Sequence, residues 1–173
     1  MNYNKHIKKN SFIRITLLNA VNVYGFFMND IDEHIAIIVD LDFFVDGYKI
    51  IKKTSIKSIR YTEHEKFYEK LYAINTIKLP SKKIEKNLSL VAHDCMKQQE
   101  IVIIETFKKK EYSFDLWLIT KISSDYCILK PISWLWKYEK EKKIALWKID
   151  IFSRWNKYSQ VFEKYIFLST SKK

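Results

Sequence analysis

"FVDGYKIIKKTSIKSIRY", residues 44–61, joins a glycine-bearing turn to runs in which apolar and polar residues alternate. A period of two puts alternate side chains on opposite faces of an extended chain, so "YKIIKK" and "SIKSIRY" read as two short strands broken near Thr54. Gly47 is expected to supply the positive φ of the turn "VDGY". The same pattern extends upstream through "FIRITLL" from Phe12, "NVYGFFMND" and "HIAIIVDLD", the last two separated by the polar turn "NDIDE". Five short strands make up about fifty residues, and sheets that small usually curl or close to hide their edges. Gly25, inside the second run, fits a strand that bends until backbones approach too closely for a side chain.

The period then changes. "TEHEKFYEKLYAI" (62–74) has the Thr62/Glu65 spacing of a capping box and sets Phe67, Leu71 and Ile74 on one helical face. "NTIKLPSKK" (75–83) holds a proline, has no period, and marks a boundary between residues 1–76 and 77–173. "SKKIEKNLSLVAHDCMKQQ" (81–99) spaces Ile84, Leu88, Val91 and Cys95 as a helical stripe, with Ser81 as its N-cap. Strand patterns return in "EIVIIETF", "EYSFDLWLITKI", "DYCILKPI" and "KIALWKIDIFSRW", and a terminal helix is expected over "NKYSQVFEKYIF". The halves also align. "IRYTEHEKFYEKL" (59–71) and "SRWNKYSQVFEKY" (153–165) match without gaps at an offset of 94, pairing Arg60 with Arg154 and Glu69 with Glu163.

Residues 12–61 resemble an Sm-like barrel, and 101–155 resemble the same small-barrel class. In "VYGFFMNDIDEHIAI", Gly25 and Asp32 fall where that family's first signature has a bend-forming glycine and a loop aspartate; "SIKSIRY" is similar to the second, with Arg60 at its arginine. Glu33 and His34 stand where the family's RNA-binding asparagine would be, and no glycine follows Arg60. The resemblance therefore implies a fold and not that family's uridine pocket. The expected architecture is mainly β: two tandem five-stranded, strongly bent barrels of Sm-like type, each with a helix.

Charge bears on the partner. The chain carries a formal net charge of +11, with 31 basic residues against 20 acidic ones. Residues 1–76 hold 11 basic and 9 acidic side chains, whereas 77–173 hold 20 and 11, so the second half would attract an acidic partner. Only three of the basic residues are arginine, the type that forks onto phosphates and bases. All five tryptophans (117, 134, 136, 147, 155) lie in that same half. In "SWLWKYEKEKK" (133–143), Trp134 and Trp136 share a face if extended, beside Lys137, Lys140, Lys142 and Lys143. Such a surface can stack bases and hold phosphates or anchor a protein hot spot, and the same tryptophans would equally serve to cover a barrel core.

Catalytic signatures are missing. Two glycines 22 positions apart cannot build a phosphate loop. His93 and Cys95 in "AHDC" are two helical positions apart and point in different directions, which disfavours a Cys–His nucleophile. "DIDEH" (30–34) lacks the ligand order of a calcium loop, and Cys95 and Cys127 lack zinc spacing, so neither metal nor cofactor is expected. No apolar run approaches the roughly 20 residues of a membrane span, and "MNYNKHIKKNSF" does not read as a secretory signal, so a cytoplasmic location is expected. The expected function is non-catalytic binding of an acidic macromolecule, nucleic acid or protein, through the basic tryptophan-rich surface, with Arg60 and Arg154 contributing. The alternative is a protein-binding inhibitor or immunity protein of a bacterial or mobile-element conflict system. An enzyme would need Asp or His side chains converging from both barrels.

Overall fold

The computed structural model describes residues 7–80, 84–108, 111–132 and 140–170, which form a mainly β structure with antiparallel ladders and three helices. Contacts divide the chain into two compact units, Met1–Ile84 and Glu85–Lys173, a division later than the 76/77 boundary expected from sequence.

In the first unit, β1 (Phe12–Leu17), β2 (Asn22–Ile31), β3 (His34–Leu41), β4 (Phe44–Lys52) and β5 (Ile56–Arg60) precede α1 (Glu63–Ile74). The strands lie in the order β5-β1-β2-β3-β4, so the last strand returns to pair with the first. β3 is central and buries His34 through Val39 in succession, as a strand covered on both faces must. Gly25 stands opposite Val39 in the β2–β3 ladder. A Cβ there would lie 2.1 Å from the Ile38 carbonyl oxygen, which accounts for glycine at this position. The "VDGY" expectation is half met. Gly47 does have φ 74°, but it sits inside β4, where Asp46 and Gly47 together oppose Val39 as a β-bulge. The turn itself is Asp42–Phe43, with φ values of 49° and 67°. A phenylalanine held there costs about 1–2 kcal/mol.

The second unit comprises α2 (Leu88–Gln98), β6 (Ile101–Lys108), β7 (Glu111–Ile122), β8 (Tyr126–Pro131), β9 (Lys142–Ala145), β10 (Ile151–Arg154) and α3 (Lys157–Thr170). Its order is β10-β6-β7-β8-β9, the same permutation as in the first unit. "KIALWKIDIFSRW" is therefore two strands and not one: a 3-10 turn, Leu146–Lys148, separates β9 from β10 as Lys53–Ser55 separates β4 from β5. Ile101, Ile103, Leu116 and Ile132 form a core cluster against which Leu118 and Phe162 pack. α2 begins later than the stripe predicts, because Asn87 caps it by accepting the Leu90 N–H; Ser81 lies outside the described residues. Ile84 is buried ahead of the helix.

The two strongly bent barrels expected from sequence are not found: among the described residues no ladder joins β4 to β5 or β9 to β10, so each unit is an open antiparallel sheet, neither closed nor strongly curled. The aligned positions do share local structure. Glu65 takes the Thr62 N–H at 2.7 Å to start α1, and Asn156, 94 positions after Thr62, takes the Ser159 N–H at 2.7 Å to start α3. Glu69 and Glu163 each accept a backbone N–H from the first strand of their own unit, of Phe12 and of Ile101, both at 2.7 Å.

Candidate functional site

The basic tryptophan-rich surface of the second unit is only partly within the described residues: Trp134, Trp136 and Lys137 lie outside them, and Lys140 is exposed just before β9. Lys142 and Lys143 are neighbours on β9 and so face opposite sides of the sheet. Lys143 pairs with Ile128, which in turn pairs with Lys121. Its ammonium lies 3.7 Å from the centroid of the Tyr126 ring. Lys142 instead lies over Trp117, at 5.2 Å, and Trp117 is buried. The predicted lysine cluster thus divides between two faces, one carrying Lys121, Tyr126, Ile128 and Lys143.

The 3-10 turn adds what sequence did not rank. Trp147 is 66% exposed, with the Lys148 ammonium 5.2 Å from its ring. It lies two residues beyond Ala145, the ladder partner of Tyr126, and Leu146 between them fixes the turn by donating its N–H to the Asp125 carbonyl at 2.8 Å. An exposed indole beside an ammonium is a ring face and a cation offered together. In the first unit the corresponding turn, Lys53–Ser55, contains no aromatic residue.

The two arginines diverge. Arg60 is exposed at the end of β5, opposite Arg14. Arg154 is 1% exposed, and its guanidinium binds Glu100 and Asp94, so it is withdrawn from any surface that a partner could touch. Trp155 is drawn into the same group, donating Nε1–H to Glu100. Cys95 and Cys127 are buried free thiols. Burial raises both, the Cys127 thiol to about 11. Neither is a nucleophile at neutral pH. Asp30 of "DIDEH" pairs with Lys53 at 3.1 Å, and no three His, Cys, Asp or Glu side chains among the described residues gather to hold a metal ion. A cleft of about 500 Å³ in the first unit is bordered by Phe26, Glu69, Tyr72 and Lys78, but Glu69 is already engaged by the Phe12 N–H and the Tyr61 hydroxyl.

His34 is 8% exposed, and its Nε2 makes no hydrogen bond among the described residues. Burial first, then Lys52 across the ladder, lowers its pKa from the ordinary value of about 6.5. The unfolded chain consequently takes up this proton before the folded one does. Stability is full above about pH 6.5 and falls as pH drops from there through the lower folded value. Thermal unfolding followed by circular dichroism from pH 7.5 to 5 should show this decline, and His34→Gln should flatten it.

Comparison with family profiles, curated proteins and solved structures finds no match.

Proposed function

We propose that this chain is a non-catalytic binding protein whose second unit holds single-stranded nucleic acid. The observation that carries this reading is Trp147, 66% exposed beside Lys148, with Lys143 over Tyr126 on the adjoining strands. A base in a duplex has no free face to offer an indole, whereas an unpaired base does, and each such stack contributes about 1–3 kcal/mol. Lys121, Lys143 and Lys148 are exposed cations suited to the flanking phosphates. The excess positive charge of residues 77–173 favours approach of a polyanion. An Sm-like origin of both units by duplication belongs to the same proposal. It is supported by the shared strand permutation and by caps and strand-start contacts recurring at aligned positions.

Fluorescence anisotropy with a labelled oligonucleotide of about 16 nucleotides tests it. Three phosphate contacts predict a log–log salt slope of about −2 for a single strand. Trp147→Ala should weaken binding about 10-fold or more, while Trp147→Phe retains most of it. Absence of binding at low salt defeats the proposal. Recovery from the native cell of one stoichiometric protein, free of nucleic acid, would favour the inhibitor reading instead.

A further inference from the structure

A second surface, in the first unit, is built differently. Phe12, 1% exposed, stacks on Tyr68 with centroids 5.2 Å apart and planes 7° from parallel; Tyr68 stacks on Phe43 at 5.7 Å and 13°. Tyr72 leans on Phe43 at 5.5 Å and directs its hydroxyl to Asp40, whose carboxylate also takes the Phe43 N–H at 3.0 Å. A file of rings thus runs from the core to the β3–β4 turn, where Phe43, 39% exposed, is the outermost member. Its left-handed backbone, φ 67°, follows another at Asp42, φ 49°, in a turn that ordinarily takes Asn-Gly. Stacking on Tyr68 and the lean against Tyr72 hold the ring in this strained conformation at the surface.

Around Phe43 the surface is apolar. Leu41 and Phe44, 54% and 62% exposed, are ladder partners at the turn, and Phe67, 55% exposed, meets Tyr68 edge-on. The charge at the turn is negative: Asp42 is exposed within it, and Asp40 flanks it. Lys66 on the neighbouring helix is paired with Glu63 at 2.7 Å.

We infer that this turn docks a protein partner through an arginine-bearing apolar segment, its guanidinium lying flat on Phe43 and pairing with Asp42 while apolar neighbours cover Leu41, Phe44 and Phe67. The planar guanidinium, unlike an ammonium, satisfies a ring face and a carboxylate at once. Carboxylates at the turn repel phosphates, so this surface is distinct in chemistry from the lysine–tryptophan face. The two readings stand or fall separately.

The test is selection of a random displayed peptide library on the intact protein, followed by titration of the enriched peptides. They should carry arginine between large apolar residues. Replacing that arginine by citrulline should weaken binding about 10-fold or more. Asp42→Asn and Leu41→Ala should do the same, with urea midpoints and oligonucleotide affinity equal to those of the parent protein. A library that returns no arginine enrichment overturns the inference, as do peptides that bind both variants as tightly as the parent.

Discussion

Arg154→Ala should lower the unfolding free energy of the second unit by about 3–5 kcal/mol, measured by urea denaturation. The guanidinium makes bonds to Glu100 from Nε at 3.1 Å and from Nη2 at 2.9 and 3.0 Å, and a further one from Nη2 to Asp94 at 2.9 Å. Its central carbon lies 3.4 Å from the centroid of the Trp155 ring. Alanine would leave Glu100, itself 8% exposed, with the Trp155 N–H at 2.5 Å and no cation. Stranding a charge is what makes breaking such a pair costly, whereas exchanging both members for apolar or neutral ones is often nearly neutral. Arg154→Met combined with Glu100→Gln should accordingly recover most of the loss, and a double-mutant cycle would measure the coupling. Arg154→Lys should fall between, because an ammonium cannot fork onto both oxygens of Glu100. A destabilisation under about 1 kcal/mol for Arg154→Ala would show that water replaces the guanidinium without cost.

Gly25→Ala is expected to cost about 3 kcal/mol, and Gly25→Val to prevent the first unit from folding. The added carbon meets backbone and not a side chain that can swing aside: the Ile38 carbonyl oxygen at 2.1 Å, its carbon at 3.0 Å and the Val39 Cα at 3.2 Å. These atoms belong to β3, which is hydrogen-bonded on both sides, so relief requires parting a central ladder. The urea midpoint decides it. An alanine variant within about 0.5 kcal/mol of the parent would show that β2 and β3 separate freely.

These two residues also show what the sequence could and could not convey. Gly25 was legible because a lone glycine in an alternating run has few physical explanations. Arg154 was misread as a surface cation because its partners, Glu100 and Asp94, are brought near only by folding, 54 and 60 positions away. The strand and helix runs were legible from periodicity. The break within "KIALWKIDIFSRW" was not, since nothing in its apolar rhythm announces the 3-10 turn that exposes Trp147. Opposed faces for Lys142 and Lys143 follow from adjacency on a strand, once the segment is known to be extended. The misplaced turn has the simplest cause. Sequence reading places left-handed backbone at glycine, whereas here Ala20, Phe43, Thr76, Gln99 and Trp155 adopt it.

That last property bears on how such a chain tolerates change over generations. Each tight corner held by a bulky or branched residue carries a standing conformational debt of about 1–2 kcal/mol. Where the side chain is exposed, as at Thr76 and Gln99, drift toward glycine relieves it. Where the side chain is engaged, as at Phe43 and Trp155, the debt persists because the ring is held by its neighbours. Relatives of this protein would therefore be free to gain glycine at the first kind of corner and be constrained at the second.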